Sequence, residues 1–415
     1  MLELLRRYSF AAGTLPALVL SLFVCVCSTM LVAQESILIP EIVREGKANA
    51  IPIRVVANDQ ALQTIVTHAF NSHGAFDVIK DGSPVYILKL DRDKDDRIAY
   101  ILQKATPLAE VAKGSVATVK GGNWQVAALR ICDLVIEKTT DLKGFLAGRI
   151  AFVGRQNGYR EIFISDLFFQ KVDQLTNDKS YSLGPSWAPD GSWIIYTGYF
   201  RTGFPDIFLI NPSTGQRRMF ANYKGSNTGA VFSPDGKEVS MVLSSSKSTE
   251  IYISDNVGRY PKRLTNNKSA EISPAWSPDS QRLLVVSDQM GSPQIYMIDR
   301  NSQAMQRVNI TISNYCVEPA WNPVRQDWIA LTVGVGKTFQ IAMYNLKTGE
   351  TQLLTDHKGD GIEPVWMRDG RHLIYSLREG STKRLHLLDT QTGHTTALHS
   401  ARFGEASEAD FVYPF

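Results

Sequence analysis

From residue 149 onward, short apolar stretches alternate with turn-forming residues at a fixed interval. Runs such as Trp193-Ile194-Ile195-Tyr196 and Ile251-Tyr252-Ile253 have the length and the β-branched and aromatic content of strands. Each repeat carries an aromatic anchor followed by a turn. Trp187 precedes Ala188-Pro189-Asp190-Gly191, Phe232 precedes Ser233-Pro234-Asp235-Gly236, and Trp276 precedes Ser277-Pro278-Asp279-Ser280. The series continues with Trp321 before Asn322-Pro323, Trp366 before Met367-Arg368-Asp369-Gly370, and Phe411 ahead of Tyr413-Pro414. The anchors are 45, 44, 45, 45 and 45 residues apart. A second series, Asp166, Asn211, Asp255, Asp299, Asn345 and Asp389, runs in phase and closes apolar stretches such as Glu161-Ile162-Phe163-Ile164.

Each unit holds four strand candidates: the anchor, a run like 193–196, a run like 251–253, and one like Arg263-Leu264-Thr265. Proline presets the turn backbone and glycine supplies positive φ, so Pro-Asp-Gly belongs between the first two strands of a hairpin. Period, strand count and turn chemistry predict a six-bladed, all-β propeller over residues 146–415. The run from Arg149 to Val153 has no anchor ahead of it, while Phe411 has no strands after it. The segment Glu408–Tyr413 is therefore expected to supply the inner strand of the first blade and close the ring, removing an exposed edge.

Residues 34–145 lack the period and read as a small α/β domain. Strands are expected at 51–56, 85–90, 97–102 and 116–119. Asn58 is the expected cap of a helix bearing Leu62, Ile65, Val66, Ala69 and Phe70 on one face and stopped by Gly74. Asn123 is expected to cap a second, with Trp124, Ala128, Ile131 and Val135 on its stripe. The first 33 residues place Arg6 and Arg7 ahead of an uncharged run from Phe10 to Ala33, the pattern of a signal peptide cleaved after Ala33; an uncleaved anchor is the alternative, since the run is long enough to span a bilayer. Either one puts the remainder outside the cytoplasmic membrane.

Composition narrows the picture further. The net charge of +3 gives no electrostatic reason for nucleic-acid binding. Of the four cysteines, Cys25 and Cys27 fall in the leader, and Cys132 and Cys316, one in each module, read as buried apolar residues rather than a disulfide framework. No Gly-x-Ser-x-Gly elbow, His-Glu-x-x-His pair or phosphate-binding loop occurs. His372, His386, His394 and His399 cluster in the last blade at spacings that match no common zinc pattern, and are expected at the surface. Glu318, Glu363 and Glu408 each stand three residues before an anchor. The ring brings them toward one mouth of the channel, where they either favour a cation such as calcium or cap backbone amides of the loops entering the inner strands.

The domain order, the junction Arg130-Ile131-Cys132-Asp133 through Glu137-Lys138-Thr139, Gly144-Phe145 and Arg149–Val153, and the stretch Ser287-Asp288-Gln289-Met290-Gly291-Ser292-Pro293-Gln294-Ile295-Tyr296 resemble the TolB family, the periplasmic propeller proteins of the Tol-Pal envelope system. The resemblance implies a non-enzymatic interaction protein in the periplasm, without a cofactor, that links a Pal-like peptidoglycan-associated lipoprotein to a TolA-like inner-membrane protein and serves outer-membrane integrity and cell division. It places the inner-membrane partner on the mature N-terminus, at Ile37, Leu38 and Ile39. An extended peptide there would add to a sheet edge of that partner; an edge strand of its own domain, or residual membrane anchor if the leader is not cleaved, is the alternative. The lipoprotein is expected at the mouth formed by the loops entering the inner strands, around Asn227, Glu271, Glu318, Glu363 and Glu408, whose carboxylates would make that mouth acidic; the opposite mouth is the alternative. An exported metal-dependent, lactonase-like propeller hydrolase using the channel carboxylates is the alternative.

Overall fold

The computed structural model describes residues 49–118, 123–244 and 248–413. The leader and the segment carrying Ile37, Leu38 and Ile39 lie outside the described residues. Among the described residues no helix is long and apolar enough to cross a membrane.

The α/β part is one five-stranded sheet carrying two helices. Strands β1 (Ile51–Ala57), β2 (Phe76–Val78), β3 (Tyr86–Arg92), β4 (Ile98–Lys104) and β5 (Ala109–Val116) lie in the order β2-β1-β3-β4-β5. β1 is parallel to both of its neighbours, whereas β3, β4 and β5 form an antiparallel meander. The crossover from β1 is the helix Gln60–His73, which buries Leu62, Ile65, Val66, Ala69 and Phe70, the stripe read from the sequence. Its cap is Asp59, not Asn58: the Asp59 carboxylate accepts from the N–H groups of Ala61 and Leu62. Asn58 is committed elsewhere. Its side chain accepts from Arg92 N and donates to Arg92 O, both at 3.0 Å, so it ties the end of β1 to the end of β3. Gly74 ends the helix in the left-handed region at φ 75°. The last strand runs over Ala109–Val116 rather than 116–119. It is a mostly exposed edge strand with Glu110 and Lys113 on it, so it carries no apolar alternation to read.

Six four-stranded antiparallel sheets follow. Their inner strands are Ser182–Trp187, Asn227–Phe232, Glu271–Trp276, Cys316–Trp321, Asp360–Trp366 and Ala406–Val412. The last pairs with Arg149–Gln156, so the C-terminal strand completes the first blade as expected. Trp187, Phe232, Trp276, Trp321 and Trp366 are all buried. The indole N–H of Trp276 donates to Val231 O and that of Trp366 to Ala320 O, each in the preceding blade, so these rings bind neighbouring sheets as well as filling the space between them. The second landmark series has a local cause. Asn211, Asp255, Asp299 and Asn345 each accept backbone N–H groups two to four residues ahead, folding the turn that follows the third strand.

The α/β part packs on the first and last blades through one continuous apolar core that includes Phe70, Ile131, Phe145, Phe152, Ile374 and Leu387. Asp133 is the polar centre of this junction. Buried in the second helix, Trp124–Thr139, it accepts from Leu146 N at 2.7 Å, Ala147 N at 2.9 Å and the Tyr413 hydroxyl at 2.9 Å. One carboxylate thus fixes the linker and the end of the closing strand to the helix, and burial pushes its pKa up to about 7. Arg368 adds to the join by lying over the Tyr413 ring at 3.9 Å and pairing with Glu137.

The histidines depart from expectation: His372, His386 and His399 are buried, and only His394 of the four is exposed. His372 bridges the two parts of the fold. Its Nδ1 lies 2.6 Å from Asp369 Oδ2, and its Nε2 lies 2.6 Å from the carbonyl oxygen of His73 at the end of the first helix. His73, Asp369 and His372 could in outline hold a metal ion, but both ring nitrogens of His372 are already engaged. A carbonyl only accepts, so Nε2 carries a proton, and donation to the Asp369 carboxylate as well makes the ring an imidazolium. Burial lowers its pKa, but the facing Asp369 outweighs this and leaves it raised. Asp369 is lowered, because its contacts with His372 exceed the opposing cost of burial. The raised imidazolium contributes stability below the unfolded pKa of about 6.5 and loses it as pH rises through the folded value. Buried His73, whose pKa is lowered by desolvation, works in the opposite sense, so the expected result is a differential one. The gap in melting temperature between the wild type and His372→Gln narrows as pH is raised from about 6 to about 9. A constant gap would show that the bridge carries no charge.

Candidate functional site

All six inner strands share one backbone irregularity. The residues at equivalent positions, Gly184, Gly229, Ser273, Glu318, Glu363 and Glu408, have φ between 51° and 59°, and the ladder to the second strand shifts register at each. A bulge of this kind bends the strand and turns a side chain out of the regular alternation. Three of the six positions hold glutamate, and their carboxylates run from blade to blade. Glu318 Oε2 accepts from Glu363 N at 2.8 Å, Glu363 Oε2 from Glu408 N at 2.9 Å, and Glu408 Oε2 from Gly184 N at 2.8 Å. The chain of contacts crosses the seam where the ring closes.

These carboxylates have further partners. Thr332 Oγ1 donates to Glu318 and Ser376 Oγ to Glu363, while the Lys383 ammonium sits 2.7 Å from Glu363 Oε1. Burial would raise the Glu363 pKa, but Lys383 holds it down to about 2. Glu318 is raised, first by burial and then by the charge of Glu363. Lys383 is raised in turn: burial opposes its charge, and Glu363 and Glu408 overcome that. The structure therefore gives the three glutamates the work of amide caps, and the place beside Glu363 where a cation would be attracted is taken by a lysine. A hydrolase built on these carboxylates would have to displace those partners.

The other two residues expected at the mouth are also turned inward. Glu271 is fully buried and accepts from Asn267 Nδ2 and Ser287 Oγ. Burial raises its pKa. Asn227 is fully buried too. Its Oδ1 accepts from Tyr223 N at 2.9 Å, and its Nδ2 donates to the carbonyls of Tyr223 and Gly225. Asn227 holds the loop that enters its strand and does not itself face outward. The acidic mouth anticipated from the sequence is thus not what the exposed residues present, because Glu271 and Glu318 are spent inside the fold and Glu363 is neutralised there.

The loops on this side do expose apolar groups. Tyr181, Phe204, Tyr223 and Met290 all lie in segments that either enter an inner strand or join the second and third strands of a blade, and all are exposed. Tyr181 packs edge-on against Tyr199 with ring centroids 6.3 Å apart. Such loops at one end of a rigid ring are where propellers carry recognition. Sequence reasoning passed over a third repeated feature: Glu161, Glu250 and Gln340, each directly before an isoleucine in the third strand, are matched fifteen residues later by Thr176, Thr265 and Thr355. Each threonine hydroxyl accepts from the N–H of that isoleucine, while the acidic or amide side chain reaches into the loop beyond. The Glu/Gln-Ile pair and the later Leu-Thr or Leu-Leu-Thr were the available signal.

A family model described as the TolB beta propeller domain matches residues 136–410. The Tol-Pal system protein TolB of Francisella tularensis subsp. mediasiatica (strain FSC147) is 34% identical over 149 residues, covering 34% of this chain and 34% of its own. The protein of the same name from Anaeromyxobacter dehalogenans (strain 2CP-1 / ATCC BAA-258) is 29% identical over 172 residues, covering 40% of this chain and 39% of that one. The chain spans about a third of the length of the curated relatives it matches. Among solved structures, TolB from Acinetobacter baumannii is similar with a TM-score of 0.79 at 25% identity, covering 90% of this chain and 99% of that chain.

Proposed function

Because the chain belongs to the family of TolB β-propeller domains, we propose that it is a non-enzymatic periplasmic interaction protein of a Tol-Pal-like envelope complex. It takes a peptidoglycan-associated lipoprotein at the loop-side mouth of the propeller and an inner-membrane TolA-like partner on its mature N-terminal segment, and so serves outer-membrane integrity and division. What supports this reading most is the likeness to the Acinetobacter baumannii TolB over both parts of the fold, the α/β sheet as well as the ring. The site chemistry agrees with it. A rigid ring with exposed aromatic loops and carboxylates consumed as amide caps suits protein docking better than bond cleavage.

The N-terminal half of the proposal is tested by crosslinking. A chain starting at Ala48 lacks Ile37, Leu38 and Ile39, and it is expected to lose binding to the soluble domain of the inner-membrane partner while still binding the lipoprotein. Inner-membrane binding by the shortened chain as strong as that of the mature chain would remove the N-terminal assignment. Failure of the mature chain to crosslink with either partner would remove the function.

A further inference from the structure

One repeated position on the loop side is chemically uniform. Lys179, Lys224, Lys268 and Lys358 each stand three residues before the equivalent inner-strand positions Ser182, Asn227, Glu271 and Gly361. All four are exposed, and none has an ion-pair partner among the described residues. Ser313 and Phe403 hold the place in the other two blades.

The loops that carry these lysines are held from beneath by buried polar side chains. Glu161 accepts from the backbone N–H of Lys179 itself, at 2.9 Å. Asn227 binds both sides of Lys224 through Tyr223 and Gly225. Glu250 accepts from Asn267 N, next to Lys268, and Gln340 accepts from His357 N and donates to Gly359 O on either side of Lys358. Four lysine-bearing loops held in this way present their ammonium groups with little backbone freedom left to lose on binding. Several acidic groups on the same side are already paired: Asp178 with Arg217, Asp360 with Arg378, and Glu405 with Arg155. Exposed Tyr181 and Tyr223 stand beside two of these lysines in the chain, Tyr181 two residues after Lys179 and Tyr223 directly before Lys224, and Phe204 is exposed in a loop between them in sequence.

The geometry points to a loop-side mouth that receives an acidic protein surface, steered by the ring of lysines and anchored on the exposed aromatic side chains. This rests on the reading that the propeller mouth receives a protein partner, and it reverses the acidic character expected of that mouth from the sequence. Exposed lysines act over roughly a Debye length, about 10 Å at 0.1 M salt, so they raise the encounter rate and select charge, while the apolar groups supply the buried contact.

The test titrates the mature chain with the soluble domain of the same organism's peptidoglycan-associated lipoprotein, and separately with a fluorescein-labelled oligoglutamate peptide as a bare acidic probe. Affinity for both is expected to fall at least about tenfold between roughly 50 and 300 mM salt. The variant K179E/K224E/K268E is expected to lose at least about tenfold against both, the variant K179R/K224R/K268R to retain binding, and both to melt within a few degrees of the wild type, because the three side chains are exposed. Undiminished binding by the folded charge-reversal variant overturns the inference. Lysine-dependent binding of the oligoglutamate without any binding of the lipoprotein removes the proposed partner and leaves the acidic-surface inference standing. If neither binds, or if only phosphatidylglycerol vesicles bind in a lysine-dependent way, the inference falls.

Discussion

Deleting the chain from Glu408 onward is expected to abolish the cooperative thermal transition of the propeller rather than lower it. The removed strand pairs with Arg149–Gln156 as the inner strand of the first blade. It also carries four polar ties: Glu408 N to Glu363, Glu408 to Gly184 N, Asp410 to Trp187 N at 2.7 Å, and the Tyr413 hydroxyl to Asp133. Asp410 is half-buried, and desolvation pushes its pKa up to about 6, while Phe411 and Val412 pack into the cores around the seam. Losing the strand opens the ring, exposes the edge of the Arg149–Gln156 strand and leaves the half-buried Trp187 N–H without its acceptor. A domain is stable by only about 5 to 15 kcal/mol, and a loss on this scale is of the same order. The check is a melting curve followed by tryptophan fluorescence and by calorimetry. An unchanged midpoint would mean that the ring does not depend on its closing strand.

Lys383→Met is the single substitution with the largest expected cost. The lysine is 14% exposed and faces Glu363, which is 13% exposed. Breaking a buried pair from one side typically costs about 3 to 5 kcal/mol, because the remaining charge has no partner. Glu363 has a depressed pKa, so the pair contributes stability above the unfolded carboxylate value of about 4.3 and loses it as pH falls toward about 2. The gap between wild type and variant in urea unfolding is therefore expected to be full at neutral pH and to shrink below about pH 4. The double variant Lys383→Met with Glu363→Gln is expected to recover part of the loss. Equal instability at all pH values would assign the cost to packing alone.

Much of the ring was legible because its determinants are local. Trp187 through Trp366 and Phe411 recur at a near-constant interval, the Pro-Asp-Gly turns report the hairpins, and the Asp/Asn series folds the turn after each third strand through neighbouring amides. Even closure could be read, since the first blade lacked an anchor and the last anchor lacked a blade. What could not be read depended on contacts far apart in the chain. Asn58 and Asp59 are both good caps, and only the partner Arg92, 34 residues from Asn58, decides between them. His372 reads as a surface residue of a turn until His73, 299 residues away, is laid against it. The glutamates were misread in direction for the same reason. A carboxylate three residues before an anchor points to a mouth in sequence terms, but the bulge at φ 51° to 59° turns it toward the N–H of the next blade. With those carboxylates turned to backbone amides, the lysines of the preceding loops are a repeated exposed charge on that side, a series that runs at the same period and was equally visible in the sequence.

Hydrogen–deuterium exchange is the decisive test of the proposed docking of an envelope lipoprotein on the loop side of the propeller. The mature chain would be exchanged with and without the soluble domain of the organism's own peptidoglycan-associated lipoprotein. Exchange is expected to slow in the loops entering the inner strands at 177–181, 222–226 and 266–270 and in the neighbouring 288–293 loop, with little change in the turns at 189–192, 234–237 and 279–281 on the opposite side. Protection confined to those opposite turns, or no protection at saturating lipoprotein, would contradict the proposed docking.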